Sequence, residues 1–278
     1  MVQFIACAKA AWQCRDYRPQ RVSFQQARTW LQQFEKHDRP AATDLLNRIV
    51  YFSEAQTRKI LVDQNDALLR ILRTSGLRLQ NAIYVQLHDA GSSSPAMLNM
   101  LRDAARLERL GCNFVDSRDA LRLNHLSNKL GEGAIVYVDD FLGTGDQFCK
   151  ARDFMIPHVV GNFAEFLLVP CICEEAYGRL AKLGVEVLTG DIHTRAERPL
   201  HDNCAILKPE VKERLRTLCM QIDGRSALGY GGLASMVVFY RNAPNCLPVI
   251  FRGNVDQDPH AGIFPRISDL PRRVFLVS

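Results

Sequence analysis

One segment constrains the fold of this chain more than any other. Residues 134–138 form a continuous apolar, β-prone run, and two aspartates and a glycine-containing turn follow at once. Apolar residues then recur at helical spacing from Phe148 to Met155. A buried strand, a tight turn and a helix in that order are typical of an open α/β sheet, which binds ligands at the carboxyl ends of its strands.

The surrounding sequence repeats this alternation of short apolar runs and helical patterns. Because the runs are continuous, they favour parallel strands covered on both faces. Residues 23–75 are predicted to be helical, and glycine-rich residues 224–232 precede two further predicted strands. The predicted fold class is therefore α/β, with an N-terminal helical region at 1–77, a parallel-sheet core at 78–205, and a C-terminal hood or edge segment at 206–278. Predicted strands are 82–87, 112–115, 134–138, 163–169, 185–188, 236–240 and 247–251, and helices 95–110, 146–156 and 174–183 lie between those of the core.

Composition excludes several classes of protein. Hydrophobic residues make up 47% and charged residues 23% of the 278, which argues against long disorder, and the net charge of +5 is not gathered in basic blocks. The nine cysteines are an odd number and several lie in apolar runs, which favours reduced thiols over disulfides or a zinc site. No apolar stretch is long enough to span a membrane, and the N-terminus lacks a secretory pattern, so we expect a soluble cytoplasmic protein.

The residues after the central strand combine two kinds of chemistry. Asp139 and Asp140 place two carboxylates where they could accept hydrogen bonds from vicinal sugar hydroxyls. Gly143 and Gly145 allow backbone amides to approach an anion, Thr144 adds a hydroxyl donor, and the following helix would direct its N-terminus at the same place.

This pattern resembles the phosphoribosyl pyrophosphate (PRPP) signature of type I phosphoribosyltransferases. The resemblance implies that Asp139 and Asp140 contact ribose and support catalysis. It also implies that the loop Gly143, Thr144, Gly145, Asp146 and Gln147 holds the 5-phosphate. Three departures stand out. Gly143 replaces the acidic base of many purine-salvage members, Asp146 puts a carboxylate into the phosphate loop, and Gln147 replaces a threonine.

The loop at residues 88–94 matches the position of the family's diphosphate loop, between a strand and a helix. The resemblance implies that Asp89, Gly91, Ser92 and Ser93 hold the diphosphate. The expected cofactor is Mg²⁺, with Asp89, Asp139 and Asp140 as its candidate ligands. An ordinary turn with a capping serine explains the same loop equally well.

A narrower resemblance covers most of the chain. The helical residues 30–34, the 88–89 loop, the glycine turn 229–232 and residues 237–248 look like the divergent phosphoribosyltransferase-like proteins of bacterial conflict systems. This implies an antiphage effector, with a sugar-phosphate or nucleotide substrate. Implied partners are a protein or RNA from a defence operon, such as a retron reverse transcriptase with its non-coding RNA, and a homo-oligomer is possible. No membrane partner is expected.

Other interpretations stay open. Tyr137 with Asp139 and Asp140 also spells the Tyr-x-Asp-Asp of reverse transcriptases, but that motif needs a second strand where this sequence predicts a helix. The loop is not a Walker A motif, because no Gly-Lys-Ser/Thr follows. A non-catalytic sensor of nucleotides or PRPP, or an RNA-binding regulator, is the main alternative to an enzyme, and Asp146 and Gln147 favour it.

Two further features are weaker candidates. A group of polar residues follows the last predicted core strand, where it could contact product or simply form a solvated loop. Tyr230, in its glycine-rich setting, could stack on a base or merely pack the turn. The group of polar residues comprises Asp191, His193, Arg195, Arg198 and His201.

Overall fold

The computed structural model describes residues 1–87, 93–253 and 261–269. Contacts divide the chain into two compact units, Met1–Glu54 with His193–Ser278, and Ala55–Ile192. In chain order the helices and strands are α1 (Val2–Gln13), α2 (Phe24–Gln32), α3 (Arg39–Asn47), β1 (Val50–Phe52), α4 (Glu54–Thr74), β2 (Ala82–Gln86), α5 (Ser94–Ala104), β3 (Asn113–Asp116), α6 (Ala120–Leu130), β4 (Glu132–Val138), β5 (Phe141–Leu142), α7 (Asp146–Met155), β6 (Asn162–Cys173), α8 (Glu174–Lys182), β7 (Val185–His193), α9 (Pro209–Ile222), β8 (Val237–Phe239) and α10 (Val249–Arg252).

The second unit is built on a mostly parallel sheet. Within its described residues six strands form that sheet in the order β3-β2-β4-β6-β5, and β7 also pairs with β6. The strand β4 is central and runs parallel to β2 and to β6, with Val136 opposite Tyr84 on one side and opposite Phe166 on the other. The predicted α/β fold class with a parallel sheet is therefore confirmed.

Alternate residues of the central strands pack on opposite faces of this sheet. Val136 belongs to a cluster with residues of α4 and α5, whereas Ile135 and Tyr137 pack with residues of α7 and α8. Both faces are covered, and residues 134–138 are fully buried. This explains why the strand is a continuous apolar run, since a strand with one face in water would alternate.

The first unit joins sequence from both ends of the chain. Its strands β1 and β8 pair in parallel, with Val50 opposite Val237. Trp30 of α2 is buried, stacks on Phe251 with ring centroids 5.2 Å apart, and donates from Nε1 to the Ile250 carbonyl at 2.7 Å. These contacts tie α2 to α10, and they give the unit a hydrophobic core of its own.

In the second unit the elements predicted at 82–87, 112–115, 134–138, 146–156 and 174–183 agree with the observed ones within two residues. The helix predicted at 95–110 already ends at Ala104, and the strands predicted at 163–169 and 185–188 continue to Cys173 and His193.

In the first unit the strand β1 interrupts the region 23–75 that is predicted to be helical, and the predicted strand 247–251 is wrong. Residues 247–251 lead into the short helix α10 instead. Pro248 lacks an N–H for a sheet and lies immediately before this helix, which ends at Gly253 with φ +75°. The run is apolar because it is buried against Trp30, and burial alone does not distinguish a strand from a helix.

The predicted domain boundaries at residues 77 and 205 stay predictions, because the two units described above are defined by contacts and do not test them. All nine cysteines lie in the described residues, and they are free thiols. Among the described helices, none is long and apolar enough to cross a lipid bilayer.

Candidate functional site

The candidate site lies at the carboxyl ends of β2 and β4. Ser94, the first residue of α5, fixes the two strand ends together, since its hydroxyl donates to the Val138 carbonyl at 2.6 Å and accepts from the Leu87 amide at 2.9 Å. Ser93 precedes it and lies beside the two residues that follow β4. Ser94 is predicted only as the last residue of the 88–94 loop, and its link between the two strand ends depends on burial that the sequence does not show.

Asp139 and Asp140 form a close carboxyl pair around Ser93. The Ser93 Oγ lies 2.6 Å from Asp139 Oδ1 and 2.5 Å from Asp140 Oδ1, and the Asp140 amide donates to Asp139 Oδ1 at 2.9 Å. A serine hydroxyl carries one proton, so it can donate to only one of the two carboxylates. The second short contact therefore needs another proton or a cation.

The pKa of Asp139 also indicates that the pair holds a proton or a cation. Burial first, and the negative charge of Asp140 second, raise the pKa of Asp139 from 3.8 to about 7, against the opposing effect of the hydrogen bond from Ser93. Both aspartates are partly buried. The pair is consequently suited to accept hydrogen bonds from neutral hydroxyls or to bind a cation.

The short strand β5, which pairs with β6, separates the carboxyl pair from the predicted phosphate turn. Gly143 and Thr144 are partly buried, Gly145 is buried, and Gln147 is exposed. Gly145 has φ +79°, a backbone conformation that favours glycine, whereas a Cβ there would lie at an ordinary contact distance of 3.4 Å from the Cβ of Ala176. The helix α7 begins at the next residue, and its free amides make this end a favourable place for an anion.

Asp146 is compensated within the second unit. Its carboxylate accepts from the Thr144 hydroxyl at 2.7 Å and from the Arg179 guanidinium of α8 at 2.5 Å. The Asp146 amide in turn donates to Thr144 Oγ1 at 3.3 Å. The carboxylate that departs from the motif is thus held by a cation, and Thr144 and Arg179 are the groups for which a phosphate would compete with it.

A second set of contacts holds α7 against the sheet. Arg152 of α7 forms two hydrogen bonds with the Glu165 carboxylate of β6, at 2.8 and 2.6 Å, and the Tyr137 hydroxyl donates to the same carboxylate at 2.7 Å. The side chains of Arg152 and Glu165 are only 14% and 12% exposed. Sequence reasoning missed this network, although a glutamate inside an apolar strand is a signal that a buried partner exists.

The weaker candidates take different places. Asp191 lies on β7, where the Cys171 thiol is 3.9 Å from its carboxylate. His193 and Arg198 are fully buried in the first unit, where the guanidinium of Arg198 donates to the His193 carbonyl and His193 Nε2 accepts from the Met236 amide. These contacts account for His193 and Arg198 as parts of a core.

The match to a known family decides what kind of protein this is. The model of the PRTase-CE family matches residues 27–266, which is more than half of the chain. The chain belongs to the PRTase-CE family. The resemblance to phosphoribosyltransferase-like proteins is confirmed at this level.

This PRTase-CE chain is also similar to three solved structures. Orotate phosphoribosyltransferase from Aeropyrum pernix is 17% identical, with 50% of this chain and 70% of that chain covered and a TM-score of 0.33. TT1426 from Thermus thermophilus is 16% identical, covering 49% and 83% with a TM-score of 0.32. The AQ2163 protein from Aquifex aeolicus is 14% identical, covering 62% and 83% with a TM-score of 0.35. A comparison with curated proteins gives no match. Family membership rests on the PRTase-CE model alone.

Few residues of the candidate site could hold a metal ion. Mg²⁺ prefers oxygen ligands, keeps several waters, and is commonly bound by one or two carboxylates together with substrate phosphates. The oxygens of Asp139, Asp140 and Ser93 fit that preference. Among the described residues, no three His, Cys, Asp or Glu side chains form a group that could hold a metal by themselves.

Part of the predicted diphosphate loop lies outside the described residues. Asp89, Gly91 and Ser92 fall in residues 88–92, so their predicted roles stay predictions. Ser93 is the member of this set that the structure describes, and it lies against the carboxyl pair rather than apart from it.

Proposed function

We propose that this protein is a phosphoribosyltransferase-like enzyme that binds PRPP or a nucleotide at the carboxyl edge of the sheet in the second unit. The observation that carries the proposal is the Asp139–Ser93–Asp140 arrangement beside the glycine turn that opens α7. It combines acceptors for a sugar diol with an anion-binding helix end.

The carboxyl pair supports binding of a ribose. Two carboxyl oxygens lie within hydrogen-bond distance of one hydroxyl, which can supply only one proton. The two neighbouring hydroxyls of a ribose would supply two, and each would meet its own carboxylate. Hydrogen bonds to a charged acceptor are about twice as strong as neutral ones, so both carboxylates would be stabilised in their ionised form.

The turn supports binding of the 5-phosphate. The N-terminus of α7 follows Gly145, and Thr144 and Arg179 lie beside it, each bound to Asp146. A phosphate that displaces the Asp146 carboxylate would gain a guanidinium, a hydroxyl and backbone amides. The proposal therefore includes a rearrangement of Asp146 when substrate binds.

The proposed reaction transfers the ribosyl 5-phosphate group. The bond from the anomeric carbon to its leaving group breaks, the leaving group departs with the electron pair, and a nucleophile on the acceptor forms the new bond. Ionised Asp139 and Asp140 would stabilise the positive charge that develops on the sugar. Asp139 and Asp140 would hold Mg²⁺ together with substrate oxygens, with Asp89 proposed as a further ligand, and the ion would supply positive charge next to the leaving diphosphate.

The test is mass spectrometry of small molecules and RNA after incubating the protein with cell extract, PRPP and Mg²⁺. Asp139→Asn/Asp140→Asn is the variant expected to be inactive, and Asp153→Asn, at an exposed aspartate on α7, is the matched control. Pyrophosphate or a ribosyl-phosphate adduct formed by wild type and control alone is the expected result. Equal product from all three proteins would contradict the proposal.

One observation favours a second candidate, a non-catalytic sensor of PRPP or nucleotides. Thr144 and Arg179, the polar groups of the phosphate turn, are already bound to Asp146. Calorimetric titration with PRPP and Mg²⁺ separates the candidates, because a sensor binds without forming product.

The biological role is proposed from the resemblance alone. We propose that the protein acts in the cytoplasm as an antiphage effector, with a reverse transcriptase and RNA as candidate partners. Cells that express wild type should form fewer phage plaques than cells that express Asp139→Asn/Asp140→Asn. Equal plaque numbers would remove this role and leave the proposed chemistry untouched.

A further inference from the structure

The first unit contains a cavity that the proposed function does not use. It has a volume of about 420 Å³, within the usual range for small-molecule sites. The lining comes entirely from the C-terminal part of the chain. It comprises residues 225–232 together with Asn245 and Arg252.

Close backbone packing builds the wall of this cavity. Gly229 has φ +79°, and a Cβ there would lie 2.4 Å from the carbonyl carbon and oxygen of Cys246, so a side chain at this position is excluded. The Tyr230 amide donates to the Asn245 carbonyl at 2.8 Å, and the Ser235 amide donates to the Cys246 carbonyl at 3.0 Å. These contacts fix the glycine turn and place Tyr230 at the cavity, with 49% of its surface exposed.

Two guanidinium groups give the cavity a positive charge. Arg252 is held in place, since its Nε donates to the Leu247 carbonyl at 2.8 Å and its guanidinium donates to Ser226 Oγ at 3.1 Å. Arg225 is exposed, and within the described residues its side chain forms no ion pair.

Asp223 is the nearby acid, and its acceptors are engaged. Its carboxylate accepts from the Ser226 hydroxyl and from the Arg225 amide at 3.0 Å. The hydrogen bond from Ser226 holds the pKa of Asp223 below its usual value, so the carboxylate is charged at neutral pH. It offsets part of the charge of Arg252 and leaves the Arg225 side chain as the cation available to a ligand.

We infer that this cavity binds a nucleoside phosphate, with the base against the ring of Tyr230 and the phosphate on Arg225 and Arg252. A tyrosine ring accepts any base as a stacking partner, and two guanidinium groups match phosphate oxygens. The cavity volume accommodates a ligand of this size. The site shares no residue with the Asp139–Ser93–Asp140 arrangement, and the inference does not rest on the function proposed there.

Calorimetric titration with AMP, adenosine and inorganic phosphate tests this site. The titrations use the full chain carrying Asp139→Asn/Asp140→Asn, so that ligand binding at the proposed ribose site does not contribute to the signal. In that background Arg225→Gln removes the available cation, and Arg21→Gln, at another exposed arginine of the same unit, is the matched control. Tyr230→Leu removes the ring, and Tyr230→Phe keeps it.

Arg225→Gln is expected to weaken AMP binding about tenfold and adenosine binding little, because one charge-assisted contact is lost. Tyr230→Leu is expected to weaken both ligands at least about fivefold, and Tyr230→Phe neither, since stacking needs only the ring. The inference is overturned if AMP does not bind at millimolar concentration, or if Arg225→Gln and Arg21→Gln bind it alike. Inorganic phosphate binding as tightly as AMP would also overturn it, because the base would then contribute nothing. Arg225 is exposed, so its variant gives a valid answer even if a Tyr230 variant fails to fold.

Discussion

Replacing Asp139 by asparagine is expected to make the folded protein more stable at neutral pH. Burial and the charge of Asp140 raise the pKa of Asp139 to about 7, against an ordinary value of 3.8. Between these two values the folded protein holds a proton that the unfolded chain has released. The free energy of unfolding therefore falls as the pH rises through this window, and it stays low above pH 7.

The size of the effect follows from the same two values. The span from 3.8 to about 7 corresponds to roughly 4 kcal/mol of lost stability above pH 7, as an upper limit. Asp139 is partly exposed and shares its charge with Asp140, so we expect Asp139→Asn to regain about 2 kcal/mol at pH 8. For a chain of this length that corresponds to a rise in melting temperature of roughly 4 °C. Asparagine can still accept from Ser93 and can donate to Asp140, so the local hydrogen bonds survive.

The assay is thermal unfolding followed by circular dichroism at pH 4 and pH 8, with a chelator present so that no cation neutralises the pair. Asp153→Asn, whose aspartate is 71% exposed, is the control and should change the melting temperature little at either pH. The gain in Asp139→Asn should appear at pH 8 and nearly vanish at pH 4. If the gain is equal at both pH values, or if the variant is less stable at pH 8, burial and the charge of Asp140 do not raise the pKa of Asp139 as described above.

Three further outcomes are expected. Arg152→Met should lower the free energy of unfolding in urea by about 3 kcal/mol, because Glu165 is left nearly buried without its cation; a loss below about 1 kcal/mol would contradict this. Gly145→Ala should cost about 1–2 kcal/mol in the same assay, through the left-handed conformation at that residue, and no loss would show that the turn relaxes freely. Asp146→Ala should strengthen PRPP binding up to about tenfold in calorimetry, since Arg179 is released to the phosphate; weaker binding would mean that Asp146 positions Arg179 rather than blocks it.

The fold of the second unit could be predicted from the sequence because its signals are local. The apolar run of β4, the aspartates after it and the helical spacing of α7 lie close together in the sequence, and the structure has both β4 and α7 where they are predicted. The strand β5 between them is not predicted, because two residues are too few to show a pattern. Burial of β4 on both faces removes the alternation that would mark an exposed strand, and this is what indicates a parallel sheet.

The first unit could not be predicted in the same way because distant segments build it. Val50 pairs with Val237, and the Tyr17 hydroxyl donates to the Pro265 carbonyl at 2.7 Å. No periodicity within either segment indicates such a partner. The short apolar run before Arg252 shows the same limit, because its burial against Trp30 leaves strand and helix equally consistent with the sequence.

Asp146 shows what a motif alone can and cannot predict about a phosphate site. Within the loop a carboxylate next to a phosphate site is unfavourable, and on that ground the sequence favours a weakened site. The structure adds Arg179, which lies 33 residues later on α8 and forms an ion pair with that carboxylate. The local charge is then near neutral, and a phosphate that replaces Asp146 meets a cation already in position. For the proposed function this means that the carboxylate of Asp146 would leave Arg179 when a phosphate binds, and the departure from the motif would not prevent binding.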